Sequence, residues 1–144
     1  MSLVSNKKAY FNFDIKETYS AGLELFGFEV KSLRKGQGSL DGSHVTVRGS
    51  EAYLVGLFIP PFQEKNYPSD FDPRRNRKLL LTSKEIEEIG KIEKTKGLTI
   101  VPISVYNKGR VLKLDIGVGT GKKKFDKRES IKKQNVERDT RREY

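Results

Sequence analysis

The sequence predicts a mainly β protein, with a small OB-like antiparallel barrel and two or three helices over residues 1–121 and a basic C-terminal tail over 122–144. Three observations predict it. Segments rich in Val, Ile, Leu, Phe and Tyr are separated by Gly, Pro and Asn turn signals. Two short segments place their apolar residues at helical rather than strand spacing. Residues 122–144 hold 10 basic and 5 acidic groups but only four sizeable apolar or aromatic side chains, Phe125, Ile131, Val136 and Tyr144.

Taken in order, the first strand is expected over Tyr10–Thr18, where Phe11, Phe13 and Ile15 share one face and Asn12, Asp14 and Lys16 the other. A short helix is expected from about Phe28 to Lys35, with Val30, Leu33 and Arg34 at helical spacing and Gly36 as its stop. His44–Arg48 and Glu51–Ile59 read as a hairpin about Gly49-Ser50, a link suited to a type II′ turn. Pro60-Pro61 ends the second of these strands, because neither proline donates to a ladder. Thr82-x-x-Glu85 fits a capping box, and Ile86, Ile89 and Ile92 follow on one narrow face before Gly97. Leu98–Tyr106 and Arg110–Val118 form a second hairpin around Asn107-Lys108-Gly109, with Leu112, Leu114, Ile116 and Val118 on one face. Gly117-Val118-Gly119-Thr120-Gly121 is the expected boundary between body and tail. The tail lacks the apolar surface to offset the entropy of ordering it, so it is expected to be disordered when free and helical only against a partner.

The 144 residues include 29 Lys and Arg against 19 Asp and Glu, a formal net charge of +10, with no Cys, no Trp and one His. No disulfide framework, thiol nucleophile or zinc ribbon can be built from this composition. No apolar run approaches the roughly 18 residues needed to span a bilayer, and residues 1–20 carry no secretory pattern. A cytoplasmic basic protein is expected, with a polyanion as partner.

Catalytic patterns fail on inspection. Ser43 and His44 are neighbours in a strand and face opposite ways, so Asp41, Ser43 and His44 do not form a nucleophile, base and orienter. The GVGTGKKK stretch departs from a phosphate loop at Ile116 and Lys123, and from a dinucleotide fingerprint at Lys122. Glu87 and Glu88, beside Lys84 and Lys91, read as a solvated helix face. No metal-ligand cluster and no cofactor motif is visible. A binding protein is expected rather than an enzyme.

Three basic clusters remain: Lys7-Lys8 before Tyr10, Phe11 and Phe13; Arg74-Arg75-Asn76-Arg77-Lys78 before Leu79-Leu80-Leu81; and Lys122-Lys123-Lys124 followed by Lys127-Arg128. Cations interleaved with aromatics suit RNA, whose phosphates attract charge and whose unstacked bases need a π face. Each cluster alone is equally a solvated surface; three together with the tail favour RNA. Phe26-Gly27-Phe28-Glu29-Val30 lacks the leading cation of an RNA-recognition-motif signature. Glu29 in such a setting either accepts hydrogen bonds from base edges, holds a neighbouring cation in place, or forms a surface ion pair with a lysine.

Four segments resemble the small protein B (SmpB) family, the SsrA- or tmRNA-binding proteins of bacteria. Gly27–Arg34 resembles the G-x-E-V-K-S-L-R signature, Asp72–Leu81 the D-P-x-R-x-R-K-L-L-L segment, Gly97–Pro102 the K-G-L-T-L-V-P strand, and Gly121–Arg128 the G-K-K-x-x-D-K-R opening of the tail. The resemblance implies a protein of trans-translation that binds the tRNA-like domain of tmRNA and delivers it to stalled ribosomes. Its tail would occupy the decoding centre and mRNA channel, with elongation factor Tu as a further partner, no membrane, and a monomeric state. Asn6 matches the family's asparagine before its basic segment, and Glu29 its tmRNA-binding glutamate. With the basic clusters, the RNA-binding set is expected to be Asn6, Lys7, Lys8, Glu29, Lys31, Arg34, Arg77, Lys78, Gly121, Lys122, Lys123 and Lys124. The ribosomal set is expected to be Phe125, Asp126, Lys127, Arg128, Lys132 and Lys133. The chain departs from the family at Tyr10-Phe11, where Arg-His is common, and at Phe125, where Tyr or His is common. Two other readings stay open on the residues alone: a general single-strand RNA-binding OB protein, and a structural protein of the ribosome.

Overall fold

The computed structural model describes residues 2–61 and 68–122. Its elements run β1 (Ser2–Ser5), α1 (Ala9–Asn12), β2 (Phe13–Leu23), α2 (Gly27–Arg34), β3 (His44–Arg48), β4 (Glu51–Val55), β5 (Arg77–Leu80), α3 (Ser83–Lys94), β6 (Thr99–Lys108) and β7 (Val111–Gly121). The seven strands described form one antiparallel sheet in the order β1-β6-β7-β2-β5-β4-β3. The sheet is barrel-like but its ladder does not close, and β1 and β3 are its edges. It curls until β3 lies near β6, and α3 packs against both. The backbone N–H of Val47 on edge strand β3 donates to Glu93 of α3 at 3.3 Å, so the helix satisfies part of an edge that would otherwise be open to pairing.

The main core combines the inward faces of β2, β4, β5 and β7 with Leu33 of α2 and Ile89 of α3. Leu112, Leu114, Ile116 and Val118 are buried as their alternation predicts. A second, smaller cluster joins Ala9, Val101 and Ile103, with Phe13 and Ile15 against it. Thr82 caps α3 as expected: its hydroxyl accepts from Glu85 N at 3.2 Å, and Glu85 Oε1 accepts from Thr82 N at 3.1 Å. Gly36 ends α2 with φ +75°.

Four expectations are corrected. The first long strand begins at Phe13, not Tyr10, because Asn6 turns the chain: Asn6 Oδ1 accepts from Lys8 N at 3.3 Å and its carbonyl from Ala9 N at 3.1 Å. One helical turn follows, and Ala9 is buried by it. The strand from Glu51 ends at Val55, since Gly56 adopts φ +87° where an added Cβ would meet the Gly42 carbonyl at 3.2 Å. The last strand does not stop at Val118 but runs to Gly121, so the glycine run 117–121 lies within β7. At Gly119 a Cβ would stand 2.0 Å from the Asp14 carbonyl, so glycine there allows β2 and β7 to pack backbone to backbone. Finally, Glu88 does not point to solvent: its carboxylate accepts the Tyr19 hydroxyl at 3.0 Å, and burial with this bond pushes the Tyr19 pKa up to about 12. Glu87 does pair with Lys91, at 3.7 Å.

Candidate nucleic-acid interface

The basic cluster at 74–78 sits where strand alternation begins. In β5, Arg77 and Leu79 point inward and Lys78 and Leu80 outward. An inward arginine needs a counter-charge and acceptors for five N–H groups. Glu29, at the third position of α2, supplies the charge. Its Oε2 accepts from Arg77 Nε at 2.8 Å and forms an ion pair with Nη2 at 2.6 Å. Its Oε1 accepts from Arg75 Nη2 at 2.6 Å and from the Phe26 backbone N–H at 2.9 Å. The remaining Arg77 donors go to the carbonyls of Leu57, Arg75 (3.1 Å) and Pro73 (2.9 Å). Both Glu29 and Arg77 are wholly buried. Burial pushes the Arg77 pKa below the usual guanidinium value, against the opposing pull of Glu29.

Of the roles open to Glu29, the structure therefore shows the holding of cations, and its partners are arginines rather than a surface lysine. Neither Glu29 nor Arg77 presents a side-chain atom to a ligand here. The knot instead fixes Arg75 over the half-exposed Phe26 ring, 4.3 Å from the centroid, with Phe28 stacked beside Phe26 at 5.6 Å. Arg74 lies over Phe58 and donates to the Gly56 carbonyl at 3.2 Å.

Outward from the same strand, Lys78 pairs with Glu51 at 3.0 Å. The Tyr53 hydroxyl and the Lys78 ammonium hold the Glu51 carboxyl below its ordinary pKa. Leu80 is exposed, and Gly22 opposite it leaves room for its side chain, since a Cβ there would lie 3.2 Å from Leu80 Cβ. Lys78, Leu80, Lys113 and Ser20 line one groove of about 530 Å³, whose rim carries the Ser20–Tyr106 hydroxyl pair at 2.6 Å. Leu80, Ser20 and Lys113 were missed by sequence reasoning. The two-residue period through Arg77–Leu80 was the available signal.

At the far end of the sheet the other clusters meet. Asn6 Nδ2 donates to the Pro102 carbonyl at 3.0 Å and its backbone N–H to the Ile103 carbonyl at 2.7 Å. Its amide is thus committed to shaping the turn that carries Lys7 and Lys8, both exposed. Phe13 pairs with Gly121, and the Lys122 N–H donates to the Asn12 carbonyl at 2.8 Å. The Lys122 ammonium reaches the Tyr10 carbonyl at 2.7 Å. Segments joined by the Lys122–Tyr10 bond, whose residues lie 112 positions apart in sequence, so form one basic end: Lys7, Lys8 and Lys122 about α1. Lys7 and Lys8 also line a groove of about 480 Å³ with Gly36, Gly38 and Asp41. On α2, Lys31 and Arg34 are exposed, and Arg34 donates to the Arg110 carbonyl at 3.0 Å. Gly121 is exposed, with no atom within 4 Å of an added Cβ. Lys123, Lys124, Phe125, Asp126, Lys127, Arg128, Lys132 and Lys133 lie outside the described residues.

A family model described as SmpB protein matches residues 3–144, which includes the whole of the basic tail. The chain belongs to the SmpB family. Relatives include the SsrA-binding protein of Mesoplasma florum, 46% identical over 139 residues that cover 96% of this chain and 93% of the relative. The SsrA-binding protein of Oleidesulfovibrio alaskensis is 47% identical, over 98% of this chain and 90% of the relative. A solved structure described as "tmRNA-SmpB: a journey to the center of the bacterial ribosome" is similar in fold, with a TM-score of 0.67 and 40% identity, covering 88% of this chain and 92% of that one. Within the SmpB family frame, Asp41, Ser43 and His44 have a plain structural account: the Ser43 hydroxyl donates to the Leu40 carbonyl at 2.6 Å, and His44 faces solvent on β3.

Proposed function

We propose that this protein binds tmRNA through its sheet domain and carries it to stalled ribosomes, where the segment after Lys122 engages ribosomal RNA. The observation that carries this reading is the extent of the SmpB match, which spans the body and the tail together. The similarity to a solved structure whose description names tmRNA and the bacterial ribosome supports it. The geometry supports it as well: Lys7 and Lys8 are exposed beside α1, which the Lys122 ammonium also reaches, while the cluster at 74–78 is largely neutralised from within. In this reading Lys7, Lys8, Lys31, Arg34 and Lys122 meet phosphates, Asn6 holds the turn that presents two of them, and the groove at Leu80 takes an apolar edge of the RNA. Glu29 and Arg77 support this surface from within rather than form it. Elongation factor Tu, a cytoplasmic location and a non-catalytic, monomeric protein belong to the same proposal.

The test separates the two parts. Deleting residues 123–144 leaves Lys122 and its anchoring bonds in place. The truncated protein should bind the isolated tRNA-like domain with nearly full affinity and fail to support peptide tagging on ribosomes stalled without a stop codon. Loss of RNA binding with normal tagging would contradict the division. A competition with unstructured RNA of equal length addresses the general single-strand reading, which predicts equal affinity for both.

A further inference from the structure

We infer that Tyr10 is a stacking platform for an unpaired RNA base, a role that deepens the RNA-binding reading above and rests on it. Among the described residues, Tyr10 is the most exposed of the large hydrophobic side chains, at 56%. Among the described residues its ring makes no hydrogen bond, ring contact or cation contact, whereas Phe26 has both Arg75 and Phe28 against it. At that exposure the ring is accessible to a ligand.

The backbone that carries the ring is nonetheless firmly held. Ala9 is buried against Val101 and Ile103, and the Asn12 N–H donates to the Lys8 carbonyl at 2.8 Å. The Tyr10 carbonyl accepts the Lys122 ammonium, and the Asn12 carbonyl accepts the Lys122 N–H. α1 is thereby clamped between the Asn6 turn and the end of β7. A ring on such a support loses little freedom when a ligand covers it, which favours binding.

The chemistry around the ring selects the ligand. Lys7 and Lys8 precede it, and the Lys122 ammonium lies at its own carbonyl. Asp41 stands across the adjoining groove, and Asp14 is engaged by Lys16 at 3.7 Å. An exposed aromatic face that follows the exposed Lys7 and Lys8, with the Lys122 ammonium at its backbone carbonyl, fits a nucleobase flanked by its phosphates: the base covers the ring and the phosphates meet the lysines. A protein partner would find a single aromatic ring beside basic residues, a poor match for an interface core.

The base can come from the tRNA-like domain or from ribosomal RNA, so the experiment has two arms. The chain contains no Trp, so Tyr10→Trp installs a single reporter whose fluorescence is quenched when a base stacks on it. Tyr10→Trp would be titrated with the isolated tRNA-like domain and, separately, with small ribosomal subunits, alongside wild type, Tyr10→Phe and Tyr10→Ala. Quenching in one arm identifies the source. In that arm Tyr10→Ala should weaken binding about tenfold and Tyr10→Phe should leave it unchanged, since the π face rather than the hydroxyl acts. No quenching in either arm at saturation, or full affinity in Tyr10→Ala, overturns the inference while wild-type binding upholds the broader reading. If wild type binds neither RNA, the broader reading itself fails.

Discussion

Two basic clusters that look alike in sequence have opposite fates in the fold. Arg74–Lys78 places four cations in five residues, more than Lys7-Lys8 and Lys122 together. Yet its Arg77 is buried on Glu29 and Arg75 is tied to the same carboxylate. Arg74 is held by Phe58 and Gly56, and Lys78 is paired with Glu51. The sparser cluster at the α1 end keeps Lys7 and Lys8 outward. Charge density along the chain is therefore a poor guide to charge offered at the surface. What decides is the direction set by strand alternation and the presence of a fixed counter-charge.

The comparison breaks most sharply if the inward cluster turns out to be dispensable for folding. Arg77→Met leaves the Glu29 carboxylate buried with half its partners removed, and should cost ~3–5 kcal/mol in denaturant unfolding. Glu29→Gln combined with Arg77→Met should recover part of that loss, because no unpaired charge remains. An unchanged unfolding midpoint for Arg77→Met would mean the knot is not what holds α2 to β5.

The outward cluster should behave in the reverse way. Lys7→Ala with Lys8→Ala should lower affinity for the tRNA-like domain about tenfold at moderate salt while leaving the unfolding midpoint in place. Thr82→Ala sharpens the contrast from neutral ground: loss of the cap on α3 should cost ~1 kcal/mol of stability without changing RNA affinity. The smallest effect concerns pH. Tyr19 has its pKa raised to about 12 from 10.0, chiefly by burial and the bond to Glu88, so the folded state favours the neutral phenol. Its contribution is complete below pH 10.0 and is lost as pH rises through about 12. Tyr19→Phe should remove that part of the alkaline decline, read as a flatter stability curve between these values than wild type shows.

Much of this was legible from the chain. The two hairpins, the capping box at Thr82 and the helix ending at Gly36 follow from local chemistry that tertiary packing did not override. The strand expected at Tyr10 failed because Phe11, Phe13 and Ile15 alternate as a strand would, whereas the Asn6 turn, held locally by Lys8 and Ala9 and at long range by Pro102, puts Phe11 in a helical turn. The same reason hid β1, which pairs with β6 about a hundred residues away. For the site, residue type was visible and direction was not. Glu29 was singled out, but its burial depends on Arg77, 48 residues further along. The meeting of Lys7, Lys8 and Lys122 depends on the β2–β7 register, which no local pattern encodes.

The most direct test of the outward and inward assignment is the salt dependence of affinity for the tRNA-like domain in wild type and in the Lys7→Ala, Lys8→Ala double variant. Removing one lysine from a phosphate should reduce the slope of log affinity against log salt by about 0.7–0.9, so the double variant should flatten it by about 1.5 with no change in unfolding. An unchanged slope would place the phosphates elsewhere and contradict the account.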